Sequence, residues 1–156
     1  MVQKKNILVF PCGSEIALDI YSSVKYSTYF NLIGANSVDD HGQYVFENYI
    51  DGVPFIDDAA FIPSLAKIVK EHNIDAIYPA MDTVITKTKL HEKELGCKVI
   101  APSEKTTEIC LSKKLTYECL QGVINTPKVY EPQNIPLSEF PVFAKPIVGY
   151  SARGTK

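Results

Sequence analysis

The sequence lacks the marks of several protein classes. Its 4 cysteines form no C-x-x-C pair, which fits a reducing, cytoplasmic compartment. No uninterrupted apolar run approaches the roughly 20 residues that cross a bilayer, so no membrane partner is expected. The basic residues near the N-terminus are followed only by the apolar block 7–10 before a proline, and this pattern predicts no secretion signal.

An excess of charge of either sign is also absent. The 156 residues include 16 Lys+Arg against 18 Asp+Glu, a formal net charge of -2. Nucleic acid is therefore not an expected partner, because phosphate backbones are bound by a concentrated basic face. With 46% hydrophobic and 22% charged residues and no repeat or low-complexity tract, the composition predicts one globular domain with part of a second.

Short apolar blocks alternate with helical patterns in the first part of the chain. The block 7–10 is bounded by polar residues and predicts a central strand buried on both faces. Ser14 is expected to cap the next helix, and Gly96 to end a helix that runs from Asp82 to Leu95. The order predicts an α/β fold with an open, mostly parallel sheet covered on both faces. The other predicted elements are strands at 29–34, 76–79 and 98–102, a short edge segment within 49–56, and a helix that follows Asp58 and ends near His72.

The pattern changes after Ser103 to short helices and a loop with several prolines. The block 140–146, FPVFAKP, then predicts a buried strand with a flexible loop behind it. A strand needs a partner, so we expect the chain to be a fragment of a longer protein. Its first domain is predicted at 1–111 and the start of a second at 112–156. The short helices are predicted from Glu104 to Leu111 and from Lys113 to Gly122.

The turn after the first strand contains the first candidate site. In a doubly wound sheet this turn binds phosphate, but only Gly13 matches the glycine-rich fingerprint, and Glu15 would place a like charge beside a phosphate. A plain structural turn is the alternative. Asp82 follows another strand at the carboxyl edge of the predicted sheet, where it either caps its helix or faces a ligand. We expect Gly13, Glu15 and Asp82 to border a substrate crevice.

Other polar groups have two interpretations each. The acidic pairs 39–40 and 57–58 could serve a cation, or they solvate loops and cap helices. Cys12 near a helix N-terminus is either a stabilised thiolate or a small buried apolar residue. No metal site is predicted, because the histidines show no ligand spacing. The histidines are His41, His72 and His91.

Two lysines in the last part of the chain suggest phosphate binding. Lys145 ends the predicted strand, where a cation is costly to bury unless it faces an anion. The loop behind it contains Gly149, Ser151 and Gly154, small residues whose N–H groups can approach phosphate oxygens while the loop closes as a lid. Lys113 follows a serine at a helix start.

In combination, these segments resemble the ATP-grasp superfamily, in particular its carbamoyl-phosphate-synthase large-subunit-like ligases. The opening ILVFPCGSEIAL at 7–18 is similar to the start of the family's Rossmann-like pre-ATP-grasp domain. The segment YPAMD at 78–82 resembles the family's strand-end segment. The segment ICLSKKLTY at 109–117 resembles its junction helix, and FPVFAKP at 140–146 its first nucleotide-binding strand.

The resemblance implies a function for the parent protein. A carboxylate would attack the γ-phosphate of ATP, and an amine or similar nucleophile would capture the acyl phosphate. Lys113 and Lys145 would contact ATP phosphates, although a serine precedes Lys113 where the family has Asp, which leaves Lys114 as the other candidate. The family's magnesium ligands lie beyond the chain, so ATP and magnesium belong to the parent and the fragment should retain neither strongly. A homodimer is compatible with this interpretation. The alternative is a non-catalytic Rossmann-like module that binds a small molecule or a partner protein.

Overall fold

The computed structural model describes residues 3–149 and residue 154. The chain forms two compact units, Met1–Thr107 and Glu108–Lys156. We describe each unit by itself.

A five-stranded, all-parallel sheet forms the centre of the first unit, with the strand order β3-β2-β1-β4-β5. The middle strand, β1, ends in four buried apolar residues, Ile7 to Phe10, whose side chains point alternately to the two faces of the sheet. Leu8 and Val9 are each 0% exposed, so both faces are covered, as the sequence predicts. The strands are β1 (Lys5–Phe10), β2 (Phe30–Ala35), β3 (Asn48–Ile50), β4 (Ala76–Pro79) and β5 (Lys98–Val99).

Helices cover the two faces of this sheet. On one face Val9 packs with Ala17 of α1. On the other face Leu8 and Phe10 pack with Leu65 of α2 and Val84 of α3. The predicted α/β fold is therefore confirmed. The helices of the first unit are α1 (Glu15–Val24), α2 (Phe61–Glu71), α3 (Asp82–Leu90) and α4 (Glu92–Leu95), and α5 (Glu104–Leu111) crosses into the second unit.

The helix ends follow local signals in most places. Ser14 caps α1 as predicted, because its hydroxyl accepts a hydrogen bond from the Ala17 amide at 3.2 Å. Gly96 has a φ of 72°, the left-handed conformation predicted for it. The single helix expected from Asp82 to Leu95 is wrong, since the chain leaves helical geometry at His91 and divides into α3 and α4. Directly after this break, the Glu92 carboxylate accepts a hydrogen bond from the backbone N–H of Val99 at 2.9 Å.

Two predicted strand segments are shorter than expected. Within the edge segment predicted at 49–56, only the residues that belong to β3 form a strand. Beyond it, the backbone N–H of Val53 donates to the carbonyl of Asn36 at 3.1 Å. The predicted strand 98–102 ends at Val99, where its pairing with β4 stops. Both differences arise because a strand persists only while a neighbour supplies hydrogen bonds.

The second unit begins within α5 and continues into α6 (Lys113–Leu120). The predicted strand at 140–146 is wrong, since these residues are irregular and Phe143 is 72% exposed. No strand lies beside the segment in the described part of this unit, and Pro141 and Pro146 lack the N–H groups of a ladder. Short 3₁₀ turns at Pro132–Asn134 and Leu137–Glu139 complete the unit. None of the described helices is long and apolar enough to span a bilayer.

Candidate functional site

The carboxyl edge of the sheet between β1 and β4 is the first candidate site. The strand order reverses direction here, since β2 and β3 lie on one side of β1, and β4 and β5 on the other. Crevices at such switch points hold ligands in open α/β sheets. The two strands end side by side, because the Ala80 amide donates to the carbonyl of Phe10 at 2.7 Å. The turn that contains Gly13 and the start of α3 therefore leave the same point of the sheet.

A side chain of the protein itself covers the turn at Gly13. The Asp40 carboxylate lies so close that a Cβ atom on Gly13 would be 1.8 Å from Asp40 Oδ2. Asp40 is held there by Asn36, whose amide donates to Oδ2 at 2.5 Å, and by the Gly42 N–H, which donates to Oδ1 at 2.8 Å. A fixed carboxylate above this turn repels a phosphate, which argues against dinucleotide binding.

One residue of each acidic pair accepts a backbone hydrogen bond in its own loop, and only Asp40 does so as an N-cap, since the N-cap position of α2 is Ala60. Asp40 is the N-cap of the 3₁₀ turn His41–Tyr44, and the Asp58 carboxylate accepts from the Ala60 amide at 2.7 Å. The sequence pattern indicated capping as one of two alternatives for these residues. The sequence pattern did not indicate that Asp40 contacts Gly13, because that contact depends on how the loop after β2 folds back over the sheet edge.

Glu15 and Asp82 both lie in the first turn of a helix and are exposed. The expectation that Asp82 caps α3 is wrong, since the N-cap position is Met81 and no side chain bonds to that helix end. Both carboxylates therefore lie at positively polarised helix N-termini. Among the described residues, the carboxylates of Glu15, Asp82 and Asp40 lie near the switch point.

Cys12 is a buried thiol rather than a reactive thiolate. It is 0% exposed and packs with Val9, Ala17 and Phe46. Burial, reinforced by the nearby Asp40 carboxylate, raises the pKa of Cys12 to about 12. Of the two interpretations that its sequence position allowed, the small buried residue is confirmed.

The second candidate site lies in the second unit, around the first turn of α6. Ser112 caps this helix, since its hydroxyl accepts from the Leu115 amide at 3.3 Å. The Lys113 backbone N–H donates to the carbonyl of Ile147 at 2.9 Å, and its Nζ donates to the carbonyl of Gly149 at 3.0 Å. Lys113 is half-buried in this arrangement, whereas Lys114 is exposed. Lys113 is therefore the lysine of this pair that contacts the loop segment.

Lys145 lies beside the same helix. Its Nζ donates to the hydroxyl of Tyr117 at 2.5 Å and lies 5.0 Å from the centre of the Tyr117 ring. Lys113 and Tyr117 are four positions apart on α6, so they share one face of the helix. The structure thus brings both predicted lysines and Gly149 to one helix face. No motif or spacing in the sequence pointed to Tyr117.

The rest of the predicted loop is described only in part. Ser151 lies outside the described residues. Gly154 has a φ of 74°, a conformation that favours glycine, and an added Cβ would lie 3.7 Å from Pro146. Among the described residues no group of three or more His, Cys, Asp or Glu side chains is arranged to hold a metal ion.

Comparison with known proteins identifies the fold. No family model and no curated protein matches the chain. A structure of Rhizobium etli pyruvate carboxylase with acetyl coenzyme-A matches 98% of this chain and 15% of its own, with 18% identity and a TM-score of 0.69. The L-amino acid ligase from Bacillus licheniformis matches 96% of this chain and 38% of its own, with 16% identity and a TM-score of 0.69.

A third structure contains nucleotide. It is the biotin carboxylase domain dimer of Hydrogenobacter thermophilus 2-oxoglutarate carboxylase in complex with MgADP, ADP and bicarbonate. It matches 75% of this chain and 27% of its own, with 19% identity and a TM-score of 0.56.

These matches establish that the chain has the fold of the Rossmann-like N-terminal region of biotin carboxylase-like proteins. At 16–19% identity these likenesses show the fold alone. The chain spans less than half the length of each matched protein.

Proposed function

We propose that the chain is the N-terminal part of an ATP-dependent carboxylate-amine ligase of the carbamoyl-phosphate-synthase-like kind. The observation that supports this proposal most directly is the gathering of Lys113, Lys145 and Gly149 on one face of α6. The nearest oxygen partners of both ammonium groups are neutral, a carbonyl for Lys113 and a hydroxyl for Lys145. Neutral partners leave the positive charges free to attract a polyphosphate.

The proposed reaction has two steps. A substrate carboxylate attacks the γ-phosphorus of ATP and releases ADP, which gives an acyl phosphate, and an amine or similar nucleophile then displaces inorganic phosphate. Lys113 and Lys145 supply fixed cations that offset the charge of the transferred phosphoryl group. The N–H groups of the loop with Gly149, Ser151 and Gly154 cover the phosphates.

The first unit has a different part in the proposal. Gly13, Glu15 and Asp82 border the crevice at the switch point and contribute to the surface for the acceptor substrates, a small carboxylate and a nucleophile. The carboxylates there favour an amine over a second anion as the group nearest this edge. A homodimer and a cytoplasmic location complete the proposal.

Magnesium is not assigned to residues of this chain, because the described residues form no cluster of metal ligands. We therefore propose that the 156-residue chain alone retains neither ATP nor magnesium strongly. Calorimetry with magnesium-ATP should give no measurable heat of binding, and affinity in the micromolar range would contradict this part of the proposal.

The experiment that tests the phosphate role is Lys145→Ala in the full-length gene product. An exposed position tolerates alanine, so the fold should persist, while ATP consumption should fall about a hundredfold, or ~3 kcal/mol of transition-state stabilisation. Lys145→Arg should recover part of the rate, because it keeps the charge and changes the geometry.

Two control variants separate this role from general charge effects. Lys105→Ala removes an exposed cation of α5, and Lys4→Ala removes one from the N-terminal segment. Both should leave ATP consumption unchanged. A rate for Lys145→Ala within about threefold of the wild type, a margin under ~1 kcal/mol, would refute the phosphate role and favour a non-catalytic binding module.

A further inference from the structure

In the second unit, the side chain of Tyr117 contacts the side chain of Lys145. Its hydroxyl accepts from Lys145 Nζ at 2.5 Å, and the ammonium also lies 5.0 Å from the ring centre. The two distances place the ammonium beyond the hydroxyl, near the plane of the ring, so the hydrogen bond is the interaction that acts on the charge. Tyr117 itself is half-buried on α6, a helix that is capped at its start by Ser112.

From this geometry we propose that Tyr117 is a positioning residue, which holds the Lys145 ammonium in place before nucleotide binds. The inference rests on the proposed phosphate role of Lys145. An exposed lysine side chain loses much rotamer freedom when it binds a ligand. A lysine that is already restrained loses less, so the ligand binds more tightly.

The contact with Tyr117 is compatible with phosphate binding. An ammonium group has three N–H donors, and Tyr117 uses one of them. Two donors remain for phosphate oxygens without breakage of the bond to the tyrosine. Lys113, one helical turn before Tyr117, is restrained in a similar way by the carbonyl of Gly149.

The same unit contains a matched control pair. Lys128 Nζ lies 5.0 Å from the centre of the Tyr130 ring, as Lys145 does from Tyr117. The Tyr130 hydroxyl, however, donates to Glu139, which also pairs with Lys128 at 2.9 Å. The charge of Lys128 is therefore already neutralised, and Tyr130→Phe should not affect nucleotide binding.

The first experiment measures the contact itself in the 156-residue chain. Proton exchange of the Lys145 ammonium is followed by NMR at low temperature, with the signal assigned by its loss in Lys145→Arg. Tyr117→Phe should accelerate this exchange at least threefold and leave the exposed Lys114 unchanged. Equal exchange rates in the wild-type chain and in Tyr117→Phe would overturn the proposal, because the Tyr117 hydroxyl would then not hold Lys145.

The second experiment measures the dissociation constant of magnesium-ATP in the full-length gene product. Tyr117→Phe and Tyr117→Leu both remove the hydroxyl, and each should raise it about threefold. In a Lys145→Ala background, either change should alter it less than 1.5-fold, because the tyrosine acts through the lysine. Tyr130→Phe should have no effect, and circular dichroism checks that each variant folds.

The outcomes distinguish the two proposals. If Lys145→Ala weakens ATP binding and Tyr117→Phe does not, or strengthens it, the positioning role is wrong and the phosphate role stands. Equal effects of Tyr117→Phe with and without Lys145 would also overturn the positioning role. If Lys145→Ala leaves both ATP binding and ATP consumption unchanged, the proposed function fails, and the positioning role fails with it even when the exchange experiment shows the contact.

Discussion

Gly13 has no room for a larger side chain. A Cβ atom there would overlap the Asp40 carboxylate, which is fixed by Asn36 and Gly42. Gly13→Ala should therefore displace Asp40, leave the buried Asn36 amide without its partner and lower the free energy of unfolding by about 1–3 kcal/mol. Urea denaturation measures the change.

The double variant tests this explanation. Asp40→Ala removes the obstructing carboxylate, so adding Gly13→Ala to it should cost under about 0.5 kcal/mol more. If the two costs simply add, the overlap with Asp40 is not the reason for the loss.

The four cysteines should differ in reactivity. Burial raises the pKa of Cys12 to about 12 and that of Cys97 to about 11, so both remain thiols at pH 8. Cys110 and Cys119 are exposed free thiols. A colorimetric thiol reagent at pH 8 should react quickly with these two in the folded chain and with all four in denaturant. Rapid reaction of all four in the folded chain would contradict the burial of Cys12.

The same pKa values predict how stability depends on pH. A folded-state pKa above the unfolded value of 9.0 means that the folded chain holds the proton more tightly. The contribution of Cys12 is therefore complete below about pH 9 and is lost as the pH rises toward 12. Cys12→Ala should show a shallower loss of stability across this range than the wild type.

Among the elements, α2 contributes most clearly to the core. Its side chains Phe61 and Leu65 are each 0% exposed and pack against the face of the sheet that contains Leu8. Leu65→Ala leaves a cavity and should lower the free energy of unfolding by about 3 kcal/mol. Lys67→Ala on the exposed face of the same helix should cost under about 0.5 kcal/mol. Comparable losses for both variants in urea denaturation would show that α2 does not pack as described.

Local signals predicted most of the elements. The apolar spacing in α2 and the serine cap of α1 operate within a few residues, so the sequence alone was enough to find them. The break at His91 was not predictable in this way, because no glycine or proline within 82–95 marks it. The strand predicted at 140–146 was wrong because an apolar block becomes a strand only beside another strand.

At the scale of the whole molecule, the two units differ in burial. No described residue after Thr107 is buried, and Leu137 and Val123 are 90% and 74% exposed. A unit without buried side chains opens at little cost. Amide hydrogen exchange in α6 should therefore be at least about tenfold faster than in β1. Equal protection of both elements would show that the second unit is as stable as the first.

The sequence by itself determined the alternation of strands and helices in the first unit, the central place of β1 and the two lysines as candidates for phosphate binding. These features follow from periodicity, caps and the cost of burying charge, which act locally along the chain. Only the tertiary structure decided that Asp40 covers Gly13, that Lys113 rather than Lys114 contacts the loop segment, and that Tyr117 holds Lys145. Each of these contacts joins residues far apart in the sequence, and their meeting depends on strand register and on the path of loops, which leave no local periodicity to read.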